Sequence, residues 1–339
     1  MYICRDRSAN DLYRYQLNYI VNYGQEVLVR GLHTKELLDV ATIIEEPARR
    51  VHIVPGRKAN PFLAMSEALW MMAGRDDVAA LLPYNKRILE FSDDGHFLYG
   101  AYGLRMWSQI EDLIARLQRD PNDRRAVLSI WRKEDLTAET RDAPCNDMVM
   151  FKLRSGLLHM TVFNRSNDLH WGLYAVNLCQ FSVLQEYLAS RLGASLGFQT
   201  HISNSLHIYQ NDHPGVKVTE RMLAAMGTLS SELPPPAPLF RTPIPYEKLA
   251  MAFSRVLDGE LYIQYPECPW LEFACDYLQL YRGREDIRNQ ASSIREKFHS
   301  IRHAEPYADW LLAALEFFER SSSRGEDDPE DSPNDELRV

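Results

Sequence analysis

One cysteine in this chain follows a proline, at Pro144-Cys145, and is succeeded by Asn146-Asp147. Twenty residues on stands the cluster Asn164-Arg165-Ser166-Asn167-Asp168. Two apolar-rich runs, 148–154 and 157–163, lie between them and are joined by Ser155-Gly156. That pattern predicts a β-hairpin. A hairpin returns its ends to each other, so Cys145 should meet Arg165 and Asp168 in space. A thiol beside a guanidinium is biased toward the thiolate, its nucleophilic form. Singly, a lone cysteine reads as a small buried residue. Arg165 with Asp168 reads as a surface ion pair worth about 0.5 kcal/mol. Only the joint arrangement points to a site.

Other chemistry-bearing residues are spread along the chain. Arg30 precedes a glycine at the end of the strand-like run 25–31, where it could hold an anion or simply be solvated. Pro61-Phe62 opens a helix over 62–73, and Glu67 lies inside its apolar stretch. A buried carboxylate is costly unless paired, so Glu67 is either at a polar edge or functional. Tyr102-Gly103 falls in a loop-rich region, 76–107. Arg124-Arg125 follows the turn 120–123 and precedes a strand over 126–131. Adjacent residues on a strand point to opposite faces, so two arginines aimed at one anion would need the preceding loop geometry. His207 and Tyr209 are two apart and would share a strand face.

The elements that must position these groups read as follows. Helices are predicted over 8–24, 107–119 and 177–192, and strands around 50–54 and 196–201. Residues 234–238 make a proline-rich connector. Apolar stripes at 246–257, 270–281 and 307–318 predict a helical region, and 321–339 reads as a disordered acidic tail. The division expected is a catalytic domain over 1–245, a helical extension over 246–320 packed on it, and the tail.

The 339 residues carry a net charge of −9, which argues against a basic surface that coats nucleic acid. No apolar run approaches the ~20 residues of a membrane span. The N-terminal residues lack the apolar core of a signal peptide. Five cysteines without paired spacing suggest reduced thiols in the cytoplasm. No His/Cys cluster has zinc spacing, so no metal is expected.

In order along the chain, Arg30, Glu67 before Leu69-Trp70, Tyr102-Gly103, Arg124-Arg125, Pro144-Cys145, Arg165-Ser166-x-Asp168, Gly172…Asn177 and His207-x-Tyr209 form one string. This string resembles the folate-dependent thymidylate synthase family, which includes pyrimidine nucleotide hydroxymethylases. The resemblance covers roughly residues 20–212. It implies an α/β (α+β) fold whose large twisted mixed sheet packs against the sheet of a second subunit in a homodimer. It implies 5,10-methylenetetrahydrofolate as one-carbon donor and a pyrimidine nucleoside monophosphate as substrate. Carbon-5 of a pyrimidine is a poor nucleophile, and a thiolate adding at carbon-6 makes it enolate-like. Cys145 would be that nucleophile. Arg30 and Arg165 of one subunit, with Arg124 and Arg125 of the other, would hold the phosphate, and Ser166 would add a hydroxyl. His207 and Tyr209 would bind the sugar 3′-hydroxyl, and Asn177 the base edge. Glu67 would organise water and proton transfer, Asp168 would contact the pterin, and Tyr102 would assist proton removal from carbon-5.

Four departures narrow the subtype. Asn146 follows the cysteine where synthases usually carry histidine, and could rebuild the contact to the base. Residues 88–91 lack the tryptophan expected near there. Gly172 to Asn177 is one residue longer than usual. Everything after about residue 213 is unlike the synthases. Hydride transfer wants a dry, closed site, so these features favour water as the final acceptor and a hydroxymethyl product. Reductive methylation and a non-catalytic nucleotide-binding homologue are the alternatives, with a cysteine hydrolase using Cys145 and His207 behind them. Asn177 favours uracil over cytosine, with both bases left open.

Overall fold

The computed structural model describes residues 2–54, 57, 59–211, 213–224, 236–284 and 296–322. Its centre is an eight-stranded mixed sheet: β1 (Tyr2–Asp6), β2 (Gln25–Val29), β3 (Leu32–Ile44), β4 (Val127–Ser129), β5 (Asn146–Arg154), β6 (Leu157–Asn164), β7 (Asn167–Asp168) and β8 (Ser195–Tyr209). The main path runs β1-β3-β8-β6-β5-β4, with β2 on β3 and β7 on β8. The hairpin forms as the alternation requires. Val149 and Phe151 of β5 and Leu158, Met160 and Val162 of β6 are buried on one face, and Ser155-Gly156 turns with positive φ at both residues.

The run at 50–54 is not a strand. Its hydrogen bonds go to side chains rather than to a ladder. Ile53 N donates to Asn10 Oδ1 at 2.8 Å, and the buried Arg50 guanidinium engages Glu186. β3 and β1 carry instead the sheet edge beyond β8.

Helices cover the buried face. α1 (Ala9–Tyr23) packs on β1 and β3. α2 (Pro61–Met72) starts on Asn60, whose side chain accepts from Phe62 N and Leu63 N, with Pro61 at its first position. Buried residues stand nearly all round α2, so it needs cover on every side. α3 (Tyr102–Met106) and α4 (Ile110–Arg119) follow, and α5 (Leu178–Arg191) runs beneath the sheet against α2. α6 (Gly215–Ala224) closes the α1 side. α7 (Tyr246–Leu257), α8 (Pro269–Arg282) and α9 (Ala308–Ser322) supply the remaining cover for α2. Phe62 stacks on Tyr277 of α8 at 4.5 Å between centroids. These three helices share one apolar core with the sheet. Of the acidic tail, 321 and 322 end α9, and the rest lies outside the described residues.

The Arg50–Glu186 pair ties the 45–54 stretch to α5, and Glu186 Oε1 also accepts from Leu239 N at 2.7 Å. The approach to the C-terminal helices is thus pinned to α5 by one buried carboxylate. Glu186→Ala leaves Arg50 charged and unpaired, a change that costs about 3–5 kcal/mol. Urea unfolding should show that loss in the midpoint at unchanged slope.

Candidate active site

The sheet gathers the predicted groups at one end. Asn146 at the start of β5 faces Asn164 at the end of β6, and Asn164 faces Ser203 of β8. Cys145 therefore sits one residue before this rank and Arg165 one residue after it. Arg165 N donates to Cys145 O at 3.0 Å. Its guanidinium donates to Pro144 O and Ala143 O, both at 2.9 Å, and places Nη2 3.8 Å from Cys145 Sγ. The cation is held by three contacts and lies over the Trp131 ring. Ser166 leads into β7, where Asp168 pairs with His207. His207 and Tyr209 share a face near the end of β8, their rings 5.3 Å apart edge to face. Arg30 forms the β2–β3 turn with Gly31, at φ 49° and 82°. That two-residue turn requires positive φ at both positions, and it presents an exposed arginine whose charge reaches Cys145 and Tyr209.

Tyr102 interacts electrostatically with Cys145, Asp142 and Glu67. Burial, then the neighbouring Asp142, pushes the Glu67 carboxyl up to about 8. Asp142 itself is raised to about 6, chiefly by burial, while accepting from Gly100 N at 2.7 Å. Tyr102 is raised well above its ordinary value by burial, then by Cys145 and Asp142, with the Asn146 side chain acting against the rise. These groups form a coupled set of side chains whose protons are held above their ordinary range. Tyr102 is set by its short helix, and Arg105 locks that helix to the 130–135 stretch through a fully buried bond to Asp135 at 2.6 Å.

The net shift of the free thiol is upward, against the direction that the neighbouring arginine alone suggests. Burial raises its pKa; Arg165 and Arg30 act against that, but Asp142 and Asp147 reinforce it. Sequence reasoning saw the arginine and missed the two acids. Asp142 could have been flagged, being three residues before the cysteine and close to a proline. It also missed Arg57, nearly fully buried, whose Nη2 donates to His170 O at 2.6 Å and whose charge reaches Asp168.

Arg124 and Arg125 are not assembled with the others in this chain. They stand exposed on the turn before β4, with Arg125 paired to Asp123 at 3.1 Å. The 86–90 segment is a 3₁₀ turn that leaves Leu89 and Phe91 exposed.

The stretch from Gly172 to Asn177 lies in an unusual helix. Residues Leu169–Asn177 form a π-helix, capped by Asp168 Oδ1, which accepts from Trp171 N at 2.6 Å. A π-helix bonds i to i+5 and so winds wider than an α-helix, which gives room for the longer Gly172-to-Asn177 spacing. Asn177 is thereby buried at the junction with α5, facing Asn167.

The thymidylate synthase family profile matches residues 11–232, about two thirds of the chain. The chain belongs to the thymidylate synthase family. It is 38% identical over 244 residues to a deoxyuridylate hydroxymethyltransferase of Bacillus phage SP01, covering 67% of this chain and 63% of that protein. It is 41% identical over 179 residues to the deoxyuridylate hydroxymethyltransferase of Pseudomonas phage M6, covering 50% of this chain and 51% of that one. A thymidylate synthase of Clostridium beijerinckii is 32% identical over 161 residues, 46% of this chain and 60% of that protein. The matched part thus spans between half and two thirds of the phage relatives' own length. Helices α7 to α9 lie beyond the family profile. Among the described residues no helix is long and apolar enough to cross a membrane, and no group of metal-ligating side chains is found.

Proposed function

We propose that this chain hydroxymethylates carbon-5 of dUMP, using 5,10-methylenetetrahydrofolate and a covalent adduct through Cys145. The observation that carries the reading is Arg165 Nη2 at 3.8 Å from Cys145 Sγ, with Asp142 acting on the thiol and coupled in turn to Glu67, two acids whose protons are held slightly below and at neutral pH. That arrangement supplies a nucleophile, a cation and a proton store to one ring. The names of the phage relatives agree with it.

The residues present fit a reduced folate on one observation: Asp168 Oδ2 is buried and without a hydrogen-bond partner, an acceptor left for a ring bearing N–H donors. The folate supplies the one-carbon unit, and in a methylating enzyme the hydride as well. This chain's side chains do the rest. Arg30, Arg165 and Ser166 bind the phosphate, and His207 and Tyr209 the sugar. Asn177 reads the base, with Asn146 beside it, while Glu67 and Tyr102 exchange protons with carbon-5 and its substituent.

Arg124 and Arg125, exposed here, complete the phosphate site of a second subunit. Met148, Met150, Phe163 and Ile202 lie half-buried on the outer sheet face, with Phe198 more exposed, and give that face an apolar surface for the partner sheet. We assign residues 1–245 to catalysis and 246–320 to an extension that covers α2. All five cysteines are free, which suits a reducing cytoplasm.

Mass analysis of the product tests the proposal. Incubated with methylenetetrahydrofolate and dUMP, the protein should add a hydroxymethyl group and release tetrahydrofolate. A methyl group with dihydrofolate released would establish reductive methylation instead. Parallel reactions with dCMP, UMP and CMP rank base and sugar.

A further inference from the structure

Asn177 is held by two other buried amides. Gln180, one turn on in α5, donates from Nε2 to Asn177 Oδ1 at 2.9 Å. Asn177 donates from Nδ2 to Asn167 Oδ1 at 3.3 Å. Asn167 donates from Nδ2 to Ser203 Oγ at 3.2 Å. Gln180, Asn177 and Asn167 are 3%, 4% and 2% exposed. The amides thus run head to tail from α5 to β8. A carboxamide carries two N–H donors and two acceptor lone pairs. One of each on Asn177 is taken by its neighbours, so one N–H and one lone pair remain for a ligand.

Such a chain satisfies its bonds in either of two directions. If every member turns over, the Ser203 hydroxyl donates to Asn167, Asn167 to Asn177 and Asn177 to Gln180. One member cannot turn alone without setting two oxygens or two N–H groups face to face. Asn177 is therefore not a free rotor. Space closes around it as well, because a Cβ at Gly172 would stand 2.9 Å from Asn167 Oδ1. The π-helix backbone packs against the chain there, and Asn167 has no room to swing on that side.

We propose that Gln180 and Asn167 are positioning residues that select the base by fixing the direction of the Asn177 amide. This rests on the reading that Asn177 faces the pyrimidine edge. With Gln180 donating, Asn177 offers an N–H to the uracil O4 and an oxygen to the uracil N3–H. The reversed chain offers an oxygen and an N–H in exchanged places. That pattern suits cytosine, which carries an amino group at position 4 and a bare N3.

The test is kcat/KM for dUMP and dCMP in the full-length protein and three variants. Gln180→Glu replaces the donor by an acceptor and forces the reversed direction. It should lower the dUMP-to-dCMP ratio by about 10- to 100-fold. The fall should deepen from pH 7 to pH 9 as the introduced carboxyl ionises, which a merely structural role would not produce. Asn167→Asp accepts hydrogen bonds from both Asn177 and the Ser203 hydroxyl, so it should keep or raise the ratio. Gln180→Leu removes the anchor and should relax the ratio toward one. Equal losses for both substrates in Gln180→Glu and Gln180→Leu would overturn the proposal, as would an unchanged ratio in both. Wild-type protein that turns over neither nucleotide, and forms no adduct with 5-fluoro-dUMP, would instead remove the reading beneath it.

Discussion

Cys145→Ser should abolish turnover, lowering kcat by at least ~10³-fold, while dUMP still binds. The serine hydroxyl fills the same space but is far too weak an acid to supply the nucleophile. Nothing else in the phosphate or sugar contacts changes, so the loss belongs in kcat and not in KM. Mass analysis of the denatured complex with 5-fluoro-dUMP and methylenetetrahydrofolate should show an adduct in the wild type and none in the variant. An adduct on the serine variant would mean that another residue attacks. The protonation of the free thiol gives a second readout. Burial raises its pKa, with Asp142 and Asp147 adding to that and Arg165 and Arg30 opposing. Iodoacetamide should therefore modify Cys145 slowly at pH 7 and faster as the pH rises through the alkaline range. Arg165→Gln removes the largest opposing charge and should slow modification further at each pH.

The hairpin was readable because a strict alternation and a Ser-Gly turn both point to it, and it alone brings Cys145 to Arg165. β3 was not, because Lys35, Glu36 and Asp39 interrupt its apolar pattern, although β1, β2 and β8 pair with it. The strand expected at 50–54 failed for the opposite reason. Its residues are buried, but Arg50 and Asn10 take them out of the sheet. The spacing from Gly172 to Asn177 was visible, but not the π-helix that carries it. The state of the thiol depends on burial and on acids from other segments, which no local pattern reveals. Composition and periodicity give the sheet's apolar face. They do not give the buried polar links, such as Arg105–Asp135 and Gln180–Asn177, that orient the site.

Glu67→Gln should lower kcat by about 10²- to 10³-fold with little change in KM, because it removes a proton carrier and keeps the shape. The same substitution should stabilise the protein at high pH. Burial and Asp142 hold the Glu67 carboxyl at about 8 in the folded chain, against an ordinary value of 4.5. A carboxyl raised on folding keeps its proton more tightly in the native state, so ionising it disfavours that state. The penalty is absent below pH 4.5, grows as the pH rises, and is complete above about pH 8. Glutamine never pays it. Wild type and variant should therefore melt alike near pH 4.5, with the variant gaining by a few kcal/mol toward pH 8.5. Urea midpoints across that range measure the difference. A wild type equally stable at both ends relative to the variant would mean that Glu67 is hydrated, and then it could not serve as a proton store at neutral pH. The helices α7 to α9 that bury α2 on its far side help hold that helix in place. Their apolar contacts, such as Phe62 on Tyr277, offset part of what the ionised carboxyl costs.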